Sequence, residues 1–136
     1  MSGCILIVDD EANQRKSLAI GLRIEGYSVL EAEDGERALQ VLGDESVDLA
    51  IVDLMMPGIN GLDLARRMRF RYPGVPIVLT SAYHLSERQL ARAEIRLAGF
   101  LPKPFEMAEL VAFLREKLPS TRPPAELSSK LTSFTS

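Results

Sequence analysis

The chain has a single cysteine, Cys4, so no internal disulfide can brace it. Cys4 lies in an apolar run and reads as a small buried core residue. Long hydrophobic runs are also missing. No stretch approaches the roughly 20 apolar residues of a membrane span. The opening "MSGCILIVDDE" has no basic start, and its apolar run from Cys4 to Val8 is too short for a signal peptide. A cytoplasmic protein with no membrane association is therefore expected. Nor is there a broad basic field: the net charge is -3, which argues against direct, unaided nucleic-acid binding. What remains is a soluble globular balance, 46% hydrophobic and 26% charged, at a length of 136 residues that suits one domain with its own core.

Short apolar runs alternate with helical patterns. Strands are expected at Cys4–Val8, Tyr27–Ala32, Leu49–Val52, Ile77–Leu79 and Gly99–Leu101. The first, third and fourth are apolar throughout, as in strands covered on both faces. Tyr27–Ala32 is more alternating and suits an edge. Between them, Leu18 and Leu22 precede a stop at Gly26, and Ala38, Leu39 and Leu42 form a stripe ended by Gly43. Leu64, Ala65 and Met68 repeat the pattern before "YPG". Leu90–Ala98 supplies a further helix, and Leu110, Val111, Leu114 and Leu118 the last of five. Five βα units in series predict an α/β fold, a doubly wound parallel sheet with right-handed crossovers and helices on both faces. After Leu118 the composition turns to Pro, Ser and Thr, so residues 1–118 read as the folded domain and 119–136 as a flexible tail or linker.

In such sheets the site lies beyond the carboxyl ends of the strands, near the point where strand order reverses. Asp9, Asp10 and Glu11 follow the first strand, Asp53 the third, Thr80 and Ser81 the fourth, and Lys103 the fifth. Converging carboxylates repel one another unless a cation is present. Oxygen-only ligands suit a hard ion such as Mg²⁺, which typically takes one or two carboxylates plus water and phosphate oxygens. A lysine and a hydroxyl beside that ion complete a cradle for a phosphoryl group, with a carboxylate as covalent acceptor. Each residue has a plainer reading. The acidic pair could open a helix, Asp53 could form a turn, Thr80 could cap a helix, and Lys103 could be solvated. Their joint occurrence at four strand ends is what the plainer readings leave unexplained.

The segments "ILIVDDE", "LAIVDLMMPGINGLDLARRMR", "PIVLTSA" and "GFLPKPF", with their spacing, resemble the receiver domain of bacterial two-component response regulators over about Gly3 to Leu118. The resemblance implies a flavodoxin-like sheet of order 2-1-3-4-5 and phosphorelay signalling. It makes Asp53 the phosphoacceptor, supplied by a sensor histidine kinase or phosphotransfer protein. Mg²⁺ would be held by Asp10, Asp53 and the Met55 carbonyl, and by Asp9 mainly through water. Thr80 and Lys103 would meet phosphoryl oxygens, while Pro57, Gly58 and Gly61 shape the loop after Asp53. Chemistry alone leaves the Lys103–Pro104 peptide open, cis or a trans bond starting the last helix; the resemblance favours cis.

Two positions depart from the family pattern. Phe100 stands where a switch residue coupled to Thr80 is often tyrosine; it is equally well read as core. Arg96 replaces a helix-ending glycine and tolerates a left-handed cap poorly, which would alter the partner surface. The family also offers a homodimer face on the fourth helix and fifth strand, where Arg88, Arg92, Glu94 and Arg96 read more simply as a solvated surface.

The output expected is binding of a downstream protein effector or onward phosphate relay. The residues after Leu118 are too few for helix-turn-helix recognition, so the chain reads as a stand-alone receiver, or as a piece of a longer DNA-binding or enzymatic regulator. Catalysis would extend only to the domain's own phosphorylation and dephosphorylation. An aspartyl-nucleophile phosphohydrolase would carry a second aspartate where Met55 stands. A flavin-binding protein would carry a Ser/Thr/Gly-rich phosphate loop where "VDDEANQ" places negative charge. A degenerate receiver would lack some of the acidic, hydroxyl or lysine positions, and all of them are present here.

Overall fold

The computed structural model describes residues 3–82 and 97–118. Five parallel strands form one sheet: β1 (Cys4–Val8), β2 (Ser28–Ala32), β3 (Leu49–Asp53), β4 (Ile77–Ser81) and β5 (Gly99–Pro102). Their order is β2-β1-β3-β4-β5, so the chain reverses its winding between β1 and β3. β2, the alternating segment, is an edge strand as its pattern predicts. The all-apolar runs of β1, β3 and β4 form the middle, with β3 and β4 buried at every residue.

Four helices are seen among the described residues: α1 (Ala12–Ile24), α2 (Gly35–Asp44), α3 (Gly61–Arg71) and α4 (Met107–Lys117). Polar residues start them by satisfying the free N–H groups of a first turn. The Asp34 carboxylate accepts from the Arg37 N–H at 2.8 Å, and the Asn60 side chain accepts from Asp63 at 2.9 Å. At α4 the Glu109 carboxylate accepts from the Glu106 N–H at 2.9 Å. α1 ends as its sequence predicts, with Gly26 in the left-handed region at φ 101° and its N–H donating to the Arg23 carbonyl.

Side chains alternate across each strand and so feed two cores. Leu6, Val8, Ala50, Val52, Ile77 and Leu79 pack under α2 and α3. Ile5, Ile7, Leu49, Ile51 and Val78 pack under α1 and α4, against Leu22, Leu110 and Leu114. This is the doubly wound, flavodoxin-like arrangement expected from the sequence.

Two expectations need correction. Gly43 does not end α2; the helix runs through it to Asp44, and Glu45 caps it in an extended conformation. An exposed helical glycine costs only about 1 kcal/mol, which the buried stripe of Ala38, Val41 and Leu42 offsets. Cys4 is half-buried, because it is the first residue of β1, where the helical layers no longer cover both faces. Desolvation, then the charges of Asp48 and Glu45, push its thiol pKa up, so it stays protonated at neutral pH. The helix expected over Leu90–Ala98, apart from Leu97 and Ala98, lies outside the described residues, as do Arg88, Arg92, Glu94, Arg96 and the tail 119–136. Leu97 and Ala98 are not helical and lead directly into β5. No helix among the described residues is long and apolar enough to cross a membrane.

Candidate functional site

Strand alternation decides which residues can meet. Asp9 follows Val8, Asp53 follows Val52 and Thr80 follows Leu79, so all three fall on the alternate positions that face α1 and α4. Parallel register then sets Asp53 beside Thr80 on adjacent strands. Thr80, Asp9 and Lys103 line one cavity of about 540 Å³, floored by Ile7 and Ile51 and walled by Leu18 of α1.

Lys103 is at the centre of the charges. Its Nζ donates to Gln14 Oε1 at 2.8 Å and to Asp9 Oδ2 at 3.2 Å, and lies 3.7 Å from Asp53 Oδ1. The Lys103 N–H donates to the Ser81 carbonyl at 2.8 Å, and the Lys103–Pro104 peptide is cis. The other Asp9 oxygen accepts from the Glu11 N–H at 2.9 Å. Asp9 and Asp53 are buried and Asp10 is exposed.

Oxygens of Asp9, Asp10 and Asp53 all lie within 4.8 Å of one another. One lysine cannot neutralise three carboxylates. Burial raises the Asp53 pKa above the ordinary carboxylate value, Asp9 and Asp10 add to the rise, and Lys103 and the Met55 N–H oppose it. An all-oxygen set with surplus negative charge and one exposed member fits a hard divalent cation such as Mg²⁺. Thr80 is buried, at 3% exposure, and its hydroxyl has no hydrogen-bond partner among the described residues. An oxygen-rich group arriving at the cavity would satisfy it.

The loop after Asp53 is shaped by its glycines. Gly58 has φ +75°, a left-handed conformation. Gly61 allows a close approach: a Cβ there would lie 2.5 Å from the Asp53 carbonyl oxygen and 2.6 Å from Leu54 Cα. Its N–H donates to the Leu54 carbonyl at 2.9 Å. Pro57 is exposed in the same loop, and the Met55 side chain points to solvent while its N–H lies 3.4 Å from Asp53 Oδ1. Phe100 is not brought to this cluster. It pairs with Leu79 rather than Thr80, and packs half-buried against the core under α2 and α3.

Gln14 and Arg15 were missed by sequence reasoning. Arg15 is buried, donates from Nη1 to the Asp9 carbonyl at 2.7 Å, and pairs through Nε with Glu31 at 3.1 Å. It thereby ties the acidic turn to the edge strand. The available signal was its spacing: Arg15 shares the buried stripe of α1 with Ala19 and Leu22.

The Asp53 shift has a consequence for stability. Because the folded state holds the pKa above its unfolded value, ionising Asp53 costs stability as pH rises through the folded pKa. Asp53→Asn is therefore expected to raise the melting temperature near neutral pH in chelator-treated protein. The gain should shrink as pH falls and vanish below the ordinary aspartate range. Thermal melts of both proteins across pH read this directly, and an equal gain at every pH would contradict it.

The response regulator receiver domain family matches residues 5–115 of the chain. Among curated proteins, the response regulator MprA of Mycobacterium avium is 38% identical over 131 residues, covering 96% of this chain and 57% of that protein. The phosphate regulon transcriptional regulatory protein PhoB of Pseudomonas aeruginosa is 38% identical over 121 residues, covering 88% and 53%. The chain thus spans about half the length of these relatives. Among solved structures, the Thermotoga maritima response regulator TrrA, in complex with Mg²⁺-BeF, superposes with a TM-score of 0.77 at 36% identity, covering 85% of this chain and 99% of that one. A CheY-like receiver domain protein from Methanospirillum hungatei gives a TM-score of 0.81 at 26% identity, over 88% and 95%.

Proposed function

From the premise that the chain belongs to the response regulator receiver domain family and acts in phosphorelay signal transduction, we propose that Asp53 is its phosphoacceptor. The observation that carries this reading is the meeting of three carboxylates with Lys103 and the Thr80 hydroxyl at one sheet edge. The donor is a sensor histidine kinase or phosphotransfer protein carrying phosphohistidine. An Asp53 carboxylate oxygen bonds to phosphorus while the phosphorus–nitrogen bond breaks. The imidazole nitrogen leaves with the electron pair and takes up a proton.

Asp10, Asp53 and the Met55 carbonyl would hold Mg²⁺, with Asp9 reaching it through water. The ion supplies neutralisation of the charge on the transferring oxygens. Lys103 would pair with one of those oxygens, leaving Asp9 and Gln14, and Thr80 would donate its hydroxyl to another. Positioning and charge account for most of the acceleration in such a transfer. Pro57, Gly58, Gly61 and Pro104 fix the backbone around these groups. Phosphorylation would switch the surface offered to a protein effector, with Phe100 moving alongside Thr80 as a subsidiary proposal. The domain is a signalling module whose chemistry is confined to gaining and losing its own phosphoryl group in the cytoplasm. Because the matched relatives are about twice as long, the phosphoryl signal could equally be read by a further domain of a longer regulator.

Incubation with Mg²⁺ and a small acyl phosphate should add one phosphoryl group to the wild-type protein by intact mass. The Asp53→Ala variant should gain none. Absence of uptake by the wild type, or equal uptake by the variant, would overturn the assignment.

A further inference from the structure

The largest apolar exposure among the described residues is far from the phosphoryl site. Phe70, on α3, is 88% exposed. It stands among Arg66, Arg67, Arg69 and Arg71, with no lysine in the helix. Arg66 pairs with Asp63 at 3.1 Å and Arg69 donates to the Pro73 carbonyl at 3.1 Å. Among the described residues, Arg67 has no ion-pair partner, and Arg71 stacks 5.6 Å over the Tyr72 ring with no acidic partner. Aromatic and arginine side chains presented together, with two charges unpaired, are the residue types that anchor protein interfaces.

Beside this basic strip lies an acidic one. The end of α2 carries Asp44 and Glu45, followed by Asp48, all exposed. The two helix ends are neighbours: a Cβ at Gly43 would lie 3.6 Å from the Tyr72 hydroxyl. No ion pair joins Asp44 or Glu45 to the α3 arginines among the described residues. An acidic strip next to a basic one matches its own copy turned through a two-fold axis, since acid then faces base twice. Nucleic acid and anionic membranes fit poorly, because the acidic strip would repel either.

We propose that the α2–α3 face is a self-association surface, pairing with a second copy of this chain about an axis between the two helices. Phe70 is the apolar anchor, and Arg67 and Arg71 meet Asp44 and Glu45 of the second copy. The face is distinct from the surface of the Leu90–Ala98 segment and β5 expected from the family resemblance. Two helices side by side offer a strip about 16 Å long and about 20 Å wide. That is a few hundred Å² per copy, smaller than a permanent interface. The dimer is therefore a reversible one that weakens as salt rises.

Sedimentation velocity of the full chain, from micromolar to near-millimolar concentration, tests this. The wild type should dimerise, and Phe70→Ser should weaken association about 30-fold or more, the effect of a central aromatic anchor. Two charge variants make the test specific: Asp44→Arg/Glu45→Arg carries two basic strips, and Arg67→Glu/Arg71→Glu two acidic ones. Each alone should be monomeric, with wild-type circular dichroism because all four positions are exposed. Mixed in equal amounts, they should form a heterodimer. A monomeric wild type throughout the range, association indifferent to Phe70→Ser, or no heterodimer from the mixture would overturn the proposal. A foreign partner captured by this face with the wild type still monomeric would overturn it too.

Discussion

Replacing Lys103 by methionine is expected to slow phosphoryl uptake from a small acyl phosphate by about 10²–10³-fold, the cost of losing one preorganised charge at a transferring group. Methionine keeps an unbranched apolar stem, so the cavity wall it shares with Phe105 and Met107 is preserved. The ammonium is what disappears, and in the free domain it sits 3.2 Å from Asp9 and 3.7 Å from Asp53. Two signs follow. The Asp53 pKa should rise further, because Lys103 is the main influence lowering it. Magnesium should bind at least as tightly as before, since a competing cation has gone. Stopped-flow uptake kinetics beside a magnesium titration separate the two effects. An unchanged uptake rate would remove Lys103 from the proposed machinery, whereas lost magnesium binding would point to a collapsed site. Lys103→Arg should recover little of the rate, because a planar, forked guanidinium cannot occupy the place of a compact ammonium held by Gln14 and Asp9.

Gly61→Ala should lower stability more than its one methyl suggests, by about 3 kcal/mol, the upper part of the overpacking range. The atoms in the way are backbone: the Asp53 carbonyl oxygen and Leu54 Cα. Neither can rotate aside as a side chain would. The end of β3 must shift, and the Gly61 N–H bond to the Leu54 carbonyl goes with it. The displaced peptide is that of Asp53 itself, so uptake should fall along with the urea midpoint. Gly58→Ala makes a useful contrast. It faces open space, and its cost comes from the left-handed φ alone, about 1 kcal/mol. A Gly61→Ala midpoint no lower than that of Gly58→Ala would show that the close approach yields readily.

How much of this was legible in the sequence depends on the range over which each feature is decided. The strands β1, β3 and β4 could be read within a residue or two, because burial on both faces leaves an unbroken apolar run that no polar position interrupts. The edge position of β2 could be read from its alternation. The stop at Gly26 is local too, decided within a turn. The carboxylates, Thr80 and Lys103 were found because a parallel sheet gathers its strand ends. Gln14 and Arg15 were not. Their partners, Lys103 and Glu31, lie on other elements, and nothing in "EANQRKS" says which side chains turn inward. Cys4 misled because composition reports an apolar run but not where the covering layers end. Gly43 misled because a helix with a good buried stripe tolerates a glycine on its outer face.

The alternation that places Asp9, Asp53 and Thr80 on one side of the sheet also sets what the site can withstand. β1, β3 and β4 each carry an apolar register for two cores and, one step beyond it, a residue for the chemistry. A substitution within β3 disturbs one core contact and leaves Asp53 aimed as before. Removing a single residue from β3 would turn the carboxylate toward α2 and α3, even with every motif letter retained. For this fold, then, the site should tolerate changes of strand composition better than changes of strand length. Insertions and deletions should accumulate at the opposite rim of the sheet, where the returning helices end and no functional side chain depends on the count.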